Sequence, residues 1–129
     1  MSTPDEARRR AEATVVFKLA LKASQAGVHR TINRPPKGKG WVQCVNAPAG
    51  LMCRPEKVRE SIELFGKAYQ IWPDIVALNQ IALAHEMLGE RDAAREAFAR
   101  MRAQALAESN AAYVQAADQG LARVGAGGA

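Results

Sequence analysis

Residues 78–98 read Leu78-Asn79-Gln80-Ile81-Ala82-Leu83-Ala84-His85-Glu86-Met87-Leu88-Gly89-Glu90-Arg91-Asp92-Ala93-Ala94-Arg95-Glu96-Ala97-Phe98. Apolar residues recur at helical spacing on both sides of Gly89, and glycine is the residue that stops a helix at least steric cost. The stretch therefore predicts a helix near 75–88, capped by Asp74, and a second near 92–108, capped by Asp92. Between the large residues stand alanines, which let two helices approach closely while Phe98 fills the gap.

Working toward the N-terminus, Pro73 ends a helix near 55–72 that Pro55 opens. Thr3-Pro4-Asp5-Glu6 is a helix start with a cap, a proline in the first turn and a carboxylate three residues on, so another helix spans roughly 4–26. Gly27 is expected to stop it by taking a positive φ. Working toward the C-terminus, no breaker occurs before Ser109-Asn110, a cap pair for a fifth helix near 110–124. Residues 125–129, glycine and alanine only, should fray.

Between the first two helices lies a 27-residue insertion, 28–54, in which Pro35, Pro36, Gly38, Gly40, Pro48 and Gly50 exclude any long element. A loop of this length in a small domain is either functional or disordered. Gly40–Val45 has strand propensity and could pair with Leu51–Cys53 in a hairpin. We expect 28–39 to be mobile and 40–53 to pack on the helices, because Trp41, Val42, Val45, Leu51 and Met52 would otherwise expose an apolar patch.

The 129 residues fit a single domain, 1–129. Aromatic residues reach only 5%, and the apolar content leans on alanine, which favours helices over sheets. Residues 1–64 carry 12 Lys/Arg against 6 Asp/Glu, and residues 65–129 carry 6 against 7, so the positive field belongs to the first half. The run Arg8-Arg9-Arg10 reads as a solvated helix face. No apolar run of membrane-spanning length occurs, and Lys18 and Lys22 interrupt any signal-like segment; the reading is cytoplasmic, or exported if Met1 is an engineered start.

In detail, Leu78, Ile81, Ala82 and His85, then Gly89, Ala94 and Phe98, follow a large, small and aromatic pattern with a turn glycine. Ser61, Phe65 and Ala68, ending at Pro73, repeat its second half, with Phe65 and Phe98 33 positions apart; Val16, Leu19, Ala20 and Ala23 repeat its first half. On these residues, Glu60–Arg102 resembles the tetratricopeptide repeat, whose unit of about 34 residues is a pair of antiparallel helices. The resemblance implies an all-α fold of about two helix-pair repeats, a C-terminal capping helix and an insertion where the family has a short turn. Met101 departs from it, standing where a small residue is expected, and the fourth helix lacks a terminal proline. Two repeats fall short of the usual minimum of about three, so the insertion, or a second copy of the chain in a homo-oligomer, would complete the core.

The resemblance further implies a protein-interaction adaptor or scaffold that receives a peptide or partner helix in a concave groove. Its lining would come from the first helix of each repeat: Phe17, Lys18 and Leu21, then Asn79, Gln80 and Leu83. Phe17 and Leu21 stand where chaperone adaptors of the family have a lysine and asparagine clamp, so an apolar segment is expected there, either a ligand's or the chain's own Trp41, Val42, Leu51 or Met52. The alternative function is binding of nucleic acid or an acidic partner through Arg30, Arg34, Lys37, Lys39 and Trp41, against which stands a simply solvated loop.

No phosphate loop, nucleophile motif or carboxylate pair points to catalysis, no cofactor is implied, and His85 reads as a packed side chain. Cys44 and Cys53 lie nine positions apart, too far for a C-x-x-C site. They are read as free thiols in a cytosolic protein first, as a disulfide stapling the loop if the chain is exported second, and as metal ligands with His29 last.

Overall fold

Thr3 opens the first helix as its sequence implies: its Oγ1 accepts the Glu6 N–H at 3.1 Å. The computed structural model describes residues 3–30, 36–45, 47 and 50–126. Among these are α1 (Pro4–Gly27), α2 (Pro55–Ile71), α3 (Ile75–Met87), α4 (Arg91–Ala107) and α5 (Ala111–Ala126), with three short strands, β1 (Val28–Arg30), β2 (Val42–Gln43) and β3 (Leu51–Cys53). The chain is thus mostly helical, in line with the all-α expectation, and its described residues add a small antiparallel sheet in the order β1-β3-β2.

Each helix packs on the next, α1 on α2 through to α4 on α5, and α3 also touches α5. Short turns enforce antiparallel neighbours. At the α2–α3 turn, Asp74 caps α3 by accepting the Val76 N–H at 2.9 Å. At the α3–α4 turn, Gly89 takes φ 77, the left-handed conformation its position calls for. Asp92 does not cap α4: Glu90 occupies the N-cap, without a side-chain cap bond, and Asp92 pairs with Arg95 one turn on. The α4–α5 turn places Ser109 at φ 55, and the Asn110 side chain accepts the Tyr113 N–H. Helix α5 continues through Gly125 to Ala126, further than the fraying expected from 125 onward.

Gly27 acts otherwise than expected. It is the last residue of α1 and is absent from the positive-φ glycines. Its small size matters instead, since a Cβ there would stand 2.9 Å from the Lys57 Cβ and the Val58 backbone nitrogen. Close approach at this point lets the antiparallel α1–α2 pair continue directly into the β1–β3 pair, with Val28 opposite Cys53, His29 opposite Met52 and Arg30 opposite Leu51. Val28–Arg30 is accordingly a strand rather than part of a mobile arm. The expected hairpin is present on the other side of β3, where Val42 faces Cys53 and Gln43 faces Met52.

Among the described residues, three apolar clusters fill the interior. Phe98, Met101, Leu78, Ala82, Ala117 and Val124 join α3, α4 and α5; Ala20, Phe65 and Ala77 join α1, α2 and α3. In the third, Cys44, Cys53 and Leu51 of the insertion meet Val58 and Ile62 of α2, Ala84 and Met87 of α3, and Leu88 at the C-cap of α3. A 2.7 Å hydrogen bond from the Val45 N–H to the Met87 carbonyl ties the sheet to the end of α3. The two phenylalanines are buried as the pattern requires, whereas Leu19 is 53% exposed, because α1 has a helix neighbour on one side only.

Candidate functional site

The end of the bundle opposite the sheet carries a cleft of about 430 Å³ between α1 and the α2–α3 turn. Phe17 forms one wall, held edge-on against buried Phe65 with ring centroids 5.2 Å apart. Trp72, at the C-cap of α2, and Val76, in the first turn of α3, form the other. Thr14, exposed on α1, and Asp74 stand at the rim. Over Trp72 lie two guanidinium groups, Arg10 at 4.6 Å from the ring centroid and Arg9 at 5.6 Å. The arginine run is therefore partly an aromatic-stacked edge of the cleft and not merely a solvated face.

Of the six expected groove residues, Phe17 alone lines this cleft. Leu21 packs on the Ala20–Phe65–Ala77 cluster, and Leu83 packs on the cluster that α5 completes. Lys18 is exposed, while Asn79 and Gln80 are half-buried and lie away from the cleft. The first-helix spacing gives a face of α3, but packing of α5 against that helix takes up its C-terminal half. Arg10, Thr14, Trp72 and Val76 were missed; the available signal was a tryptophan at a helix end before proline, which the structure leaves half-buried.

The described part of the insertion does not fill the cleft. Trp41 donates its indole N–H to the Lys37 carbonyl at 3.0 Å, meets the His29 ring edge-on and carries the Arg54 guanidinium 4.6 Å from its centroid. Arg54 in turn donates to the carbonyls of Lys39 and Lys37, both at 3.1 Å. Arg30, Lys37 and Lys39 are exposed, and Arg34 lies outside the described residues. The one aromatic of the basic segment is thus engaged by the protein's own arginine.

Cys44 and Cys53 form a disulfide, with Cα atoms 5.1 Å apart and both residues buried, which corrects the first reading as free thiols and removes the metal one. Pairing of β2 with β3 brings the two cysteines together, a proximity that a separation of nine positions neither requires nor forbids. His85 is half-buried as expected, but it is also hydrogen-bonded: its Nδ1 lies 3.0 Å from Glu90 Oε1, and Arg59 holds the other Glu90 oxygen at 2.7 Å. These bonds, Arg59 foremost and His85 after it, outweigh partial burial and hold the Glu90 carboxyl below its ordinary value of 4.5.

A larger hollow of about 710 Å³ lies between the end of α4 and α5. Its charged lining residue, Asp118, already pairs with Arg102 at 2.7 Å, and no aromatic side chain lines it. The α1–α3 cleft, with aromatic walls and a cationic edge, has more of what recognition needs. No helix among the described residues is long and apolar enough to cross a membrane. Compared with protein-family models, curated proteins and solved structures, the chain matches none.

Proposed function

We propose that the chain is a helical-repeat module of the tetratricopeptide kind, serving as an adaptor or scaffold that holds a peptide or partner helix of another protein in the α1–α3 cleft. The observation that carries this reading is the aromatic-walled cleft itself, which the described part of the insertion leaves open by packing at the opposite end of the α2–α3 pair. Burial of Phe65 and Phe98, the turn at Gly89 and the packing of each helix on the next all agree with the repeat pattern. The insertion supplies a third cluster of core, which a two-repeat stack needs.

The nucleic-acid alternative has less support, since a base could stack on the Arg54-covered face of Trp41 only by displacing that guanidinium. The buried disulfide favours an oxidising compartment over the cytosol, where thiol pools keep such pairs reduced. Peptides selected on the protein from a displayed library test the reading. Amide shifts on binding should centre on Thr14, Phe17, Trp72 and Val76, and Thr14→Trp, which fills the cleft from an exposed position, should abolish them. Shifts confined to the sheet or to α4–α5 would reject it.

A further inference from the structure

Arg10 occupies a position that core packing does not explain. Its side chain is exposed, makes no ion pair among the described residues, and rests on Trp72 at the mouth of the cleft, while Arg8 and Arg9 share Asp5. Stacking fixes the plane of a guanidinium but leaves the N–H donors on its edge free, in a fork whose spacing matches a carboxylate. Behind this fork the cleft is apolar, walled by Phe17, Val76 and Ala77. Asp74 at the same rim has one carboxylate oxygen committed to the Val76 N–H, as the cap of α3.

From a held cationic fork beside an apolar recess, we infer that the cleft takes an acidic peptide segment. An Asp or Glu carboxylate accepts hydrogen bonds from Arg10, and a neighbouring aliphatic or aromatic side chain enters between Phe17 and Val76. The inference rests on the groove reading above and adds to it the chemistry of the ligand. Stacking on Trp72 does part of the ordering in advance, so fewer rotamers are lost when the carboxylate arrives.

The test uses a library of random dodecamer peptides, selected in parallel on the full chain, on Arg10→Gln and on Thr14→Trp, each checked for an unchanged melting transition. Peptides enriched on the wild type should carry Asp or Glu within two positions of a large apolar residue. A synthetic peptide of the best sequence should lose about tenfold in affinity on Arg10→Gln and weaken several-fold as salt rises from about 50 to 300 mM. Enrichment without acidic residues, or equal affinity for Arg10→Gln, overturns the acidic specificity even where Thr14→Trp abolishes binding and so upholds the groove. Peptides that bind Thr14→Trp as well as wild type, or a selection that enriches nothing, overturn both.

Discussion

Glu86 is 4% exposed on α3, and a carboxylate there survives only because Arg123 reaches it from α5 with two hydrogen bonds, of 2.8 and 2.9 Å. The same arginine lies 5.8 Å from the centre of the Phe98 ring, so one side chain satisfies a buried charge and covers the core aromatic. Breaking a fully buried pair costs roughly 3–5 kcal/mol; with Arg123 itself open to water, we expect Arg123→Met to cost about 2–3 kcal/mol. Adding Glu86→Gln should restore part of that loss, because the orphaned charge is then gone. Urea denaturation at neutral pH measures both, and an unchanged midpoint in the single variant would refute the assignment. Glu90 provides the acid-side counterpart. Its folded carboxyl titrates below 4.5, held down chiefly by Arg59, so its contribution is complete above the ordinary glutamate range and disappears as pH falls through the lowered value. Melting temperatures followed from about pH 6 to 3 should therefore fall less steeply in Arg59→Ala than in the wild type.

At the scale of elements, the insertion works as a clasp. Strand β1 prolongs α1, β3 leads into α2, and β2 is held to β3 by the disulfide and to α3 by the Val45–Met87 hydrogen bond. Closing so short a loop removes about 2–3 kcal/mol of unfolded-state entropy by the chain-entropy relation. Reduction, or Cys44→Ala with Cys53→Ala, should lower stability by that order. Amide exchange should then accelerate in 42–53 before it does in α3, α4 or α5, and uniform exchange across the chain would show that the clasp is not a separate unit. Strand propensity at Gly40–Val45 and Leu51–Cys53 foretold the hairpin. Strand β1 was hidden, because Val28-His29-Arg30 has no alternation long enough to register and becomes a strand only where the end of α1 delivers it beside β3.

On the scale of the whole molecule, five antiparallel helices leave two dissimilar ends. Helix α1 keeps an uncovered outer face at Val15 and Leu19, while α5 seals the α3–α4 core with Ala117 and Val124. Gly120 sits so close to Phe98 that a Cβ would collide with the ring. Helix α5 is thus a structural lid, and a chain ended after Asn110 should lose its cooperative thermal transition, leaving Glu86 unpaired and Phe98 uncovered; a sharp transition in the shortened chain would contradict this. By itself the sequence determined the helices and their turns, the left-handed Gly89, the caps at Thr3 and Asp74, and the burial of Phe65 and Phe98. Each of these follows from local sterics and a periodicity that any short window contains. Only the tertiary structure decided that Cys44 bonds Cys53, that Arg10 lies on Trp72, that Leu83 packs on the core cluster shared by α3, α4 and α5, and that Glu86 meets Arg123 across 37 positions. Those outcomes depend on which faces of distant helices come together, and packing settles that after the helices exist.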